Sequence, residues 1–511
     1  MSVDSENSNS FEPNALELKG RAAGGAVATL ASQSVRLIAG IGTTIVVARI
    51  LVPEDFGLVA MITIIMSLGQ TLLGCGLSAA MVQKAQIDHQ GFSNIFWISL
   101  GTGICLTLTF MVLSVIAAHW LYRDERVIPV GLVASAGLLL AGMTITPQAI
   151  LRRRMAFGLL SIIEITSAIV LATTTIFLAF AWRSHWALVI GPLASAMTIL
   201  FVTFSFAKWS PSWPKWNRES TEMMKFGMKV NGYSLLNYCC RNADNLIIGS
   251  ALGPHSLGLY SRSYGIMLLP IHQVSGPISG VVVPLLSRLA HDPVAYRRAY
   301  FRVVETMLLV TIPLGIFVWF AARPLVAVIL GPGWSDAGPI VAILAINSIT
   351  QPIAASTGWL FTSQGRAGDL FRWGVISAPM IVATFFIGLP FGIQGIAFSY
   401  TMGVTFVMIP LLFWVVGRKG AVAMQDFYKI LSQFIPLALF LSFAMLVTRS
   451  ALRDATAVTI LSVMGIVNIL CALAFVLLTS VGQTSFRLAV FAVTAFRNRN
   501  GIVRSYAVKQ T

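Results

Sequence analysis

Apolar runs of about 18–26 residues recur from one end of the sequence to the other, separated by short polar connections. A helix of about 20 apolar residues is long enough to cross the ~30 Å hydrocarbon core of a bilayer. Only 11% of the residues are charged, against about 25% in soluble globular chains, and 56% are hydrophobic. The sequence therefore predicts an all-α polytopic membrane protein, and it excludes a soluble enzyme, a disulfide-stapled secreted domain and a disordered scaffold.

Hydropathy predicts about fourteen transmembrane helices, which are numbered here as spans 1 to 14. In order they cover residues 23–48, 56–81, 93–118, 127–150, 157–180, 185–206, 226–251, 257–285, 304–322, 337–361, 371–389, 393–416, 431–448 and 456–480.

The basic residues are distributed unequally between the two sides of the membrane that these spans define. Of the 35 Lys and Arg, 24 fall on the side of the N-terminus, 7 on the opposite side and 4 within spans. Cytoplasmic connections of membrane proteins are enriched in Lys and Arg, so both termini are predicted to be cytoplasmic. The net charge of +16 then reflects topology, and no nucleic-acid partner is expected.

An internal repeat relates the two halves of the chain at an offset of 201 residues. The segment IVVARILVPEDFGLVA (45–60) aligns with LIIGSALGPHSLGLYS (246–261), sharing Leu, Pro, Gly and Leu at four spaced positions. Each half would contain an even number of spans, so a pseudo-two-fold axis along the membrane normal would relate two six-helix lobes. The simpler alternative is that the shared motif only marks a turn followed by a helix start.

The repeat also predicts the domain organisation. The expected segments are a disordered cytoplasmic tail (1–22), an N-lobe of spans 1–6 (23–207), a cytoplasmic linker (208–225), a C-lobe of spans 7–12 (226–417), spans 13 and 14 (418–480) and a cytoplasmic or interfacial tail (481–511).

Ionisable residues within the spans are expensive in lipid, so they indicate a water-filled or paired setting. The cations within spans are Arg36, Lys229, Arg241 and Arg262, and the two clearest anions are Glu164 and Asp244. Their excess positive charge predicts a central cavity that accepts an anionic passenger, with Tyr233 and Asn237 on the same helical face as Lys229 and Arg241. The alternative is that Arg241 pairs with Asp244 and that Lys229 extends to the membrane surface.

Three segments resemble a known family: ARILVPEDFGLVAM (48–61), DNLIIGSALGPHSLGLYSRSYGIMLLP (244–270) and VVVPLLSRL (281–289). They are similar to the polysaccharide-transport, Wzx/WzxC-like flippases of the multidrug/oligosaccharidyl-lipid/polysaccharide exporter superfamily. The resemblance implies a bacterial inner-membrane transporter that moves an undecaprenyl-diphosphate-linked oligosaccharide repeat unit to the outer leaflet by alternating access. Basic lumen residues matter in such relatives, and Arg36, Arg241 and Arg262 lie at comparable places.

The same resemblance implies partners and energy coupling. The expected partners are the lipid-linked oligosaccharide and membrane lipid, with a polysaccharide polymerase and export machinery as further candidates. No cofactor is expected, but coupling to H⁺ or Na⁺ would suit the superfamily, and Asp244 and Glu164 are the acidic groups that could titrate.

Two alternatives remain open from the residues alone. A multidrug or organic-cation antiporter of the same superfamily would share the helical core, although it would want an anionic cavity. A membrane enzyme of polysaccharide assembly, a polymerase or an acyltransferase, would need catalytic motifs. The sequence contains one HxxxxD spacing (His119 and Asp124) and no metal-binding pattern among its five Cys and six His, so no enzyme and no metal site are expected.

Overall fold

A computed structural model of the chain describes residues 15–74, 81, 87–215, 238, 242–479 and 483. Within these ranges the chain is helical apart from short connections, and no strand occurs. The helices are α1 (Ala15–Ala48), α2 (Pro53–Gly74), α3 (His89–Ile116), α4 (Val127–Arg153), α5 (Phe157–Trp182), α6 (Trp186–Ala207), α7 (Ala243–Arg288), α8 (Pro293–Ile329), α9 (Ala337–Ser363), α10 (Ala367–Gly388), α11 (Gly392–Met402), α12 (Ile409–Gly417), α13 (Met424–Gln433), α14 (Ile435–Ala451) and α15 (Ala457–Leu478).

The described helices confirm a polytopic membrane protein. Eleven helical stretches of the described residues are long and apolar enough to cross a bilayer. One of them, 367–417, contains two predicted spans, because α10 to α12 follow one another with only short interruptions. Much of predicted span 7 lies outside the described residues, so the count of fourteen stays a prediction.

Two segments begin differently from the hydropathy prediction. Helix α1 begins at Ala15, ahead of the predicted start at residue 23, although its strongly apolar part is Ala28–Ala48. The predicted span 13 is preceded by the short helix α13, whose buried residues are Asp426, Phe427 and Ile430. Hydropathy averages over a window and so misses polar helical turns at the ends of a span.

The chain forms two compact units, residues 1–258 and 259–511. In the first unit α3 packs on α4, α4 also packs on α2 and α6, and α5 lies between α1 and α6. The start of the linker is fastened to the beginning of α3, where the Trp97 indole donates to the Ser212 carbonyl (2.8 Å) and the Lys215 N–H donates to Asn94 Oδ1 (2.9 Å). These contacts lie beside a buried cluster of aromatic and aliphatic side chains that includes Phe92 near the start of α3.

The second unit repeats the helix neighbours of the first. Helices α8 and α9 pack together as α3 and α4 do, α10 packs on α11 as α5 does on α6, and α9 packs on α11 and α12 as α4 does on α6. Helices α14 and α15 are additions to this pattern, and both pack on α8. The matching neighbours support the duplication that the sequence repeat predicted.

The two copies of the repeated motif meet at their glycines. A Cβ on Gly57 would overlap the carbonyl oxygen of Pro254, and a Cβ on Gly258 would overlap the carbonyl oxygen of Pro53. All four residues belong to the first compact unit. The motif therefore does more than start a helix, because in both copies its glycine allows the backbone of the other copy to approach closely.

The second copy of the motif also contains a kink. Helix α7 is interrupted at Gly253, which has φ 80° and ψ −180°, a backbone conformation that L-residues with a side chain rarely adopt. The predicted spans 7 and 8 are thus joined by a bend in place of a loop. In the first copy the equivalent connection is the short segment between α1 and α2.

Candidate functional site

Arg36 lies on α1 with an exposed side chain. Among the residues that the structure describes, it makes no hydrogen bond and no ion pair. A guanidinium on an otherwise apolar helix is costly in lipid unless it faces water or a counter-charge. Within the described residues the hydrogen-bonding capacity of Arg36 is therefore unused.

Glu164 lies on α5, the neighbour of α1, and is half-buried. Its carboxylate accepts a hydrogen bond from the fully buried Ser32 hydroxyl at 2.8 Å. Ser32 precedes Arg36 by one helical turn, so the two side chains share a face of α1. The structure thus brings two predicted site residues, Arg36 and Glu164, to the same part of the first unit.

Asp244 and Arg262 lie on either side of the kink in α7. Asp244 is buried, and its Oδ1 accepts the backbone N–H of Asn245 at 2.7 Å. Arg262 is half-buried and belongs to the second unit. Just before α7, the Tyr238 hydroxyl donates to the carbonyl oxygen of Ile64 on α2 at 2.6 Å, which ties the beginning of the second repeat to the first unit.

The remaining predicted cavity residues are Lys229, Tyr233, Asn237 and Arg241, and all four lie outside the described residues. Their assignment to a binding cavity stays a prediction.

A cavity of about 370 Å³ lies inside the first unit, between α2, α4 and α6. Its wall is mostly apolar, but α2 contributes Ser67 and Gln70 and α4 contributes Gln148. No side-chain hydrogen bond is formed by these three residues within the described part of the chain. Among the described residues that line it there is no Asp, Glu, Lys, Arg or His. We call this space the α2–α4–α6 pocket.

The sequence prediction missed this pocket, although a signal was present. Thr63, Ser67 and Gln70 recur on α2 at the spacing of one helical face, and Thr144 and Gln148 do the same on α4. A hydropathy scan does not single out uncharged polar residues, because they lower the average of an apolar run too little to interrupt it. Only the packing of α2 beside α4 shows that the two faces meet in one space.

The connections at the other end of the first unit are joined by ion pairs. Arg126 lies 2.8 Å from both Glu54 and Asp124, and the His185 ring lies 3.6 Å from Asp55. The guanidinium of Arg126 holds the pKa of the Asp124 carboxyl below its usual range. These contacts fasten together the connections before α2, before α4 and before α6.

The contacts of Asp124 also show whether the two residues of the HxxxxD spacing, His119 and Asp124, interact. Both oxygens of the Asp124 carboxylate accept hydrogen bonds from the Arg126 guanidinium. His119 Nδ1 instead lies 2.9 Å from the Val115 carbonyl oxygen, within its own helix. The two residues therefore do not form the His–carboxylate hydrogen bond that orients a general base. Among the described residues there is also no group of three potential metal ligands.

A family model described as "Polysaccharide biosynthesis protein" matches residues 46–339, which is more than half of the chain. The chain belongs to this family. The match includes both copies of the repeated motif and confirms the resemblance that those segments carried.

Individual relatives agree with the family assignment. The chain is 26% identical over 306 residues to the teichuronic acid biosynthesis protein TuaB of Bacillus subtilis (strain 168), a match that spans 60% of this chain and 63% of TuaB. It is 22% identical over 422 residues to the lipopolysaccharide biosynthesis protein WzxC of Escherichia coli (strain K12), covering 81% and 85% of the two chains. It is 23% identical to the succinoglycan biosynthesis transport protein ExoT of Rhizobium meliloti (strain 1021), covering 66% and 68%.

Solved structures establish the fold. The chain superposes on the lipid II flippase MurJ, in an inward closed conformation, with a TM-score of 0.66 and 16% identity, covering 88% of this chain and 97% of MurJ. It superposes on an inward-facing multidrug resistance MATE family transporter of the MOP superfamily with a TM-score of 0.59, 16% identity and coverages of 77% and 96%. The predicted all-α transporter fold is confirmed, and at these identities the similarity concerns the fold alone.

Proposed function

We propose that this member of the polysaccharide biosynthesis protein family is a flippase. It would move a polyprenyl-diphosphate-linked oligosaccharide from the inner to the outer leaflet of the bacterial inner membrane. The observation that carries the proposal is a family match to polysaccharide biosynthesis proteins on a chain with a transporter fold. Relatives in the same family are named for lipopolysaccharide biosynthesis and for succinoglycan transport. In this scheme the chain carries its substrate and performs no covalent chemistry on it.

The diphosphate would be recognised by the cations within the spans. A planar guanidinium matches the oxygens of a phosphate through paired hydrogen bonds, and its charge offsets the cost of moving the anion out of water. Arg36 supports this assignment because it uses none of its donors within the described residues. Lys229, Arg241 and Arg262 would continue the path, with Tyr233 and Asn237 as hydrogen-bonding neighbours.

Coupling to an ion gradient would fall to the acidic groups beside that path. Glu164 is held by the Ser32 hydroxyl, one helical turn from Arg36. In one state the Glu164 carboxylate would bind a proton or Na⁺, which would leave the Arg36 guanidinium available to the substrate. In the other state the free carboxylate would attract the guanidinium and make it unavailable. Asp244, buried at the start of α7, is the second candidate.

We also propose that both termini are cytoplasmic, as the 24-to-7 bias of basic residues favours. The substrate is assembled in the cytoplasm, so loading would begin on the side where α2, α4 and α6 end. A polysaccharide polymerase and export proteins would take over the substrate on the opposite side.

The first experiment is deletion of the gene followed by mass spectrometry of the lipid extract. A flippase defect should leave the completed lipid-diphosphate oligosaccharide in the inner leaflet while surface polysaccharide disappears. A rise in drug sensitivity without such an intermediate would favour the antiporter. An intermediate that accumulates in the outer leaflet would place the defect in polymerisation.

The deletion strain then tests the cation path. Arg36→Glu should abolish complementation by a membrane-inserted protein, because a carboxylate repels the diphosphate. Arg36→Lys should retain part of the activity. Arg453→Glu, an exposed arginine between α14 and α15, is the matched control and should complement fully. Normal polysaccharide output with Arg36→Glu would refute the role of Arg36.

A further inference from the structure

The α2–α4–α6 pocket offers uncharged hydrogen-bonding groups on an apolar wall. We propose that this pocket binds a neutral, hydroxyl-rich sugar ring of the passenger oligosaccharide, and so contributes to the choice of repeat unit. The inference rests on the proposed function, since it assigns a part of the same substrate to a site within the first unit. It adds recognition of the sugar to recognition of the diphosphate.

The polar residues of the pocket suit a ligand that both donates and accepts hydrogen bonds. Each glutamine amide supplies two donors and an acceptor, and the Ser67 hydroxyl supplies one donor and two acceptor lone pairs. Gln70, Gln148 and Ser67 have no side-chain hydrogen bond within the described residues, so this capacity is available. Vicinal sugar hydroxyls have the same mixed character, which a phosphate or an ammonium group lacks.

The apolar part of the wall suits the same ligand. A sugar ring presents its C–H groups on its faces and its hydroxyls around its edge. Aliphatic side chains of α4 and α6 cover most of the pocket, and the polar groups project from α2 and α4 at a few points. Small-molecule sites typically combine such a wall with a few polar groups, in volumes of about 300–1,000 Å³, and 370 Å³ falls in this range.

The polarity changes along the length of the pocket. On α2 the lining extends from Val59 to Gln70, a rise of about 16 Å along the helix axis. Both glutamines lie in the last two turns of their helices, at the end where α2 and α4 finish. On the proposed topology this is the cytoplasmic end, so a sugar entering from the side of its synthesis meets the amides first.

Other ligand classes fit less well. Of the wall residues that the structure describes, none offers a carboxylate to an organic cation, and none offers a guanidinium or ammonium group to an organic anion. A lipid acyl chain would fill the apolar part but would cover the amides of Gln70 and Gln148 without replacing their hydrogen bonds to water, which is unfavourable. A neutral sugar satisfies both parts of the wall.

The test measures binding of two lipids to the purified full-length protein in nanodiscs. One probe is polyprenyl diphosphate, and the other is the sugar-bearing polyprenyl diphosphate extracted from the deletion strain. The wild-type protein should bind the sugar-bearing lipid more tightly. The double variant Gln70→Met/Gln148→Met keeps the side-chain length and removes the amides, and it should lose about tenfold in affinity for the sugar-bearing lipid while its affinity for the bare diphosphate changes by less than about twofold.

A second variant fills the pocket instead of altering its polarity. Gly137 lines the pocket, and a Cβ there would meet only Leu193, at an ordinary contact distance of 3.6 Å. Gly137→Leu should therefore fold and should weaken binding of the sugar-bearing lipid alone. The matched control is Gln351→Met, because the Gln351 amide donates to the Tyr400 hydroxyl within the second unit and is not among the residues that line this pocket.

The outcomes separate the pocket from the proposed function. If the wild-type protein binds neither lipid, the proposed function is wrong and the pocket loses its ligand. If the wild type binds both lipids equally, or if both pocket variants keep the preference for the sugar-bearing lipid, the diphosphate role stands and the sugar site is refuted. If the double variant binds both lipids more tightly than wild type, the pocket accepts an acyl chain.

Discussion

The turn between α4 and α5 in the first half and the turn between α9 and α10 in the second half each carry an arginine that caps another helix. In the first turn the arginine comes just before the residue with left-handed backbone, and in the second turn it comes just after it. Arg154 donates to the carbonyl oxygen of Ala207 (2.9 Å), the last residue of α6. Arg366 donates to the carbonyl oxygens of Val416 (3.1 Å) and Val415 (3.4 Å) near the end of α12. Both satisfy carbonyls of a final helical turn, which have no partner inside their own helix.

The two turns differ in what surrounds the charge. Arg366 also donates to Asp369 (3.1 Å) and lies over the Phe361 ring at 5.2 Å. Partial burial lowers the pKa of the Arg154 guanidinium, whereas Arg366 holds the pKa of the Asp369 carboxyl below its usual range. The two halves thus cap a helix end with an arginine from different turn positions, and the charges beside the two arginines differ.

The largest effect is expected where the two copies of the repeated motif contact each other within the first unit. Gly57→Ala and Gly258→Ala each place a methyl group on a backbone carbonyl of the other motif copy, so each should destabilise the protein by about 3 kcal/mol. The thermal unfolding midpoint in detergent measures this. Gly101→Ala, at a glycine of α3 with open space around it, is the control and should have little effect. Unequal losses of stability in the two motif variants would show that the two copies of the motif are not equivalent.

Loss of either arginine cap should destabilise the protein. Arg366→Met should cost about 2 kcal/mol, because it removes bonds to two helix-end carbonyls. Arg154→Met should cost at least about 1 kcal/mol, because it removes the bond to Ala207. The same unfolding assay measures both variants, and an unchanged unfolding midpoint in either would contradict the capping role of that arginine.

The turn residues next to these arginines allow the backbone strain of the two turns to be compared. Met155 has φ 54°, and its counterpart Gly365 has φ 69°, so both occupy the left-handed region. Gly365→Ala should therefore cost about 1 kcal/mol, whereas Met155→Gly should be neutral or stabilise by about 0.5 kcal/mol through relief of strain. Both are read as shifts in the unfolding midpoint. Destabilisation by Met155→Gly would mean that contacts of the Met155 side chain outweigh its backbone strain.

The smallest effect concerns pH and only the second turn. The Asp369 carboxyl has a pKa below its ordinary value of 3.8, so its stabilising contribution is present above that value and is lost as the pH falls through the lower folded-state pKa. Asp369→Asn should therefore lower the unfolding midpoint slightly at pH 7, and the difference from wild type should shrink as the pH falls below 3.8. Asp454→Asn, at an exposed residue between α14 and α15, serves as the control. A difference between wild type and Asp369→Asn that does not shrink as the pH is lowered would contradict the assignment.

Much of the architecture could be predicted before the structure, but the candidate site only in part. The repeated motif indicated a duplicated helical transporter, and the charged residues within spans indicated Arg36 and Glu164 separately. Their proximity, through Ser32, depends on the packing of α1 against α5, across more than 120 residues of sequence. The pocket with Gln70 and Gln148 was missed because uncharged amides leave the hydropathy of a span almost unchanged.

The membrane class, the duplication and the excess of cations within spans were readable from the sequence, because hydropathy, repeat spacing and charge are local properties of the chain. Only the packing of the helices shows which of these features meet. The motif glycines proved to be contact points only when Pro53 and Pro254 lay against them, and the polar faces of α2 and α4 became a pocket only when those helices packed side by side. Such contacts depend on distances between residues far apart in the chain, which local periodicity does not specify.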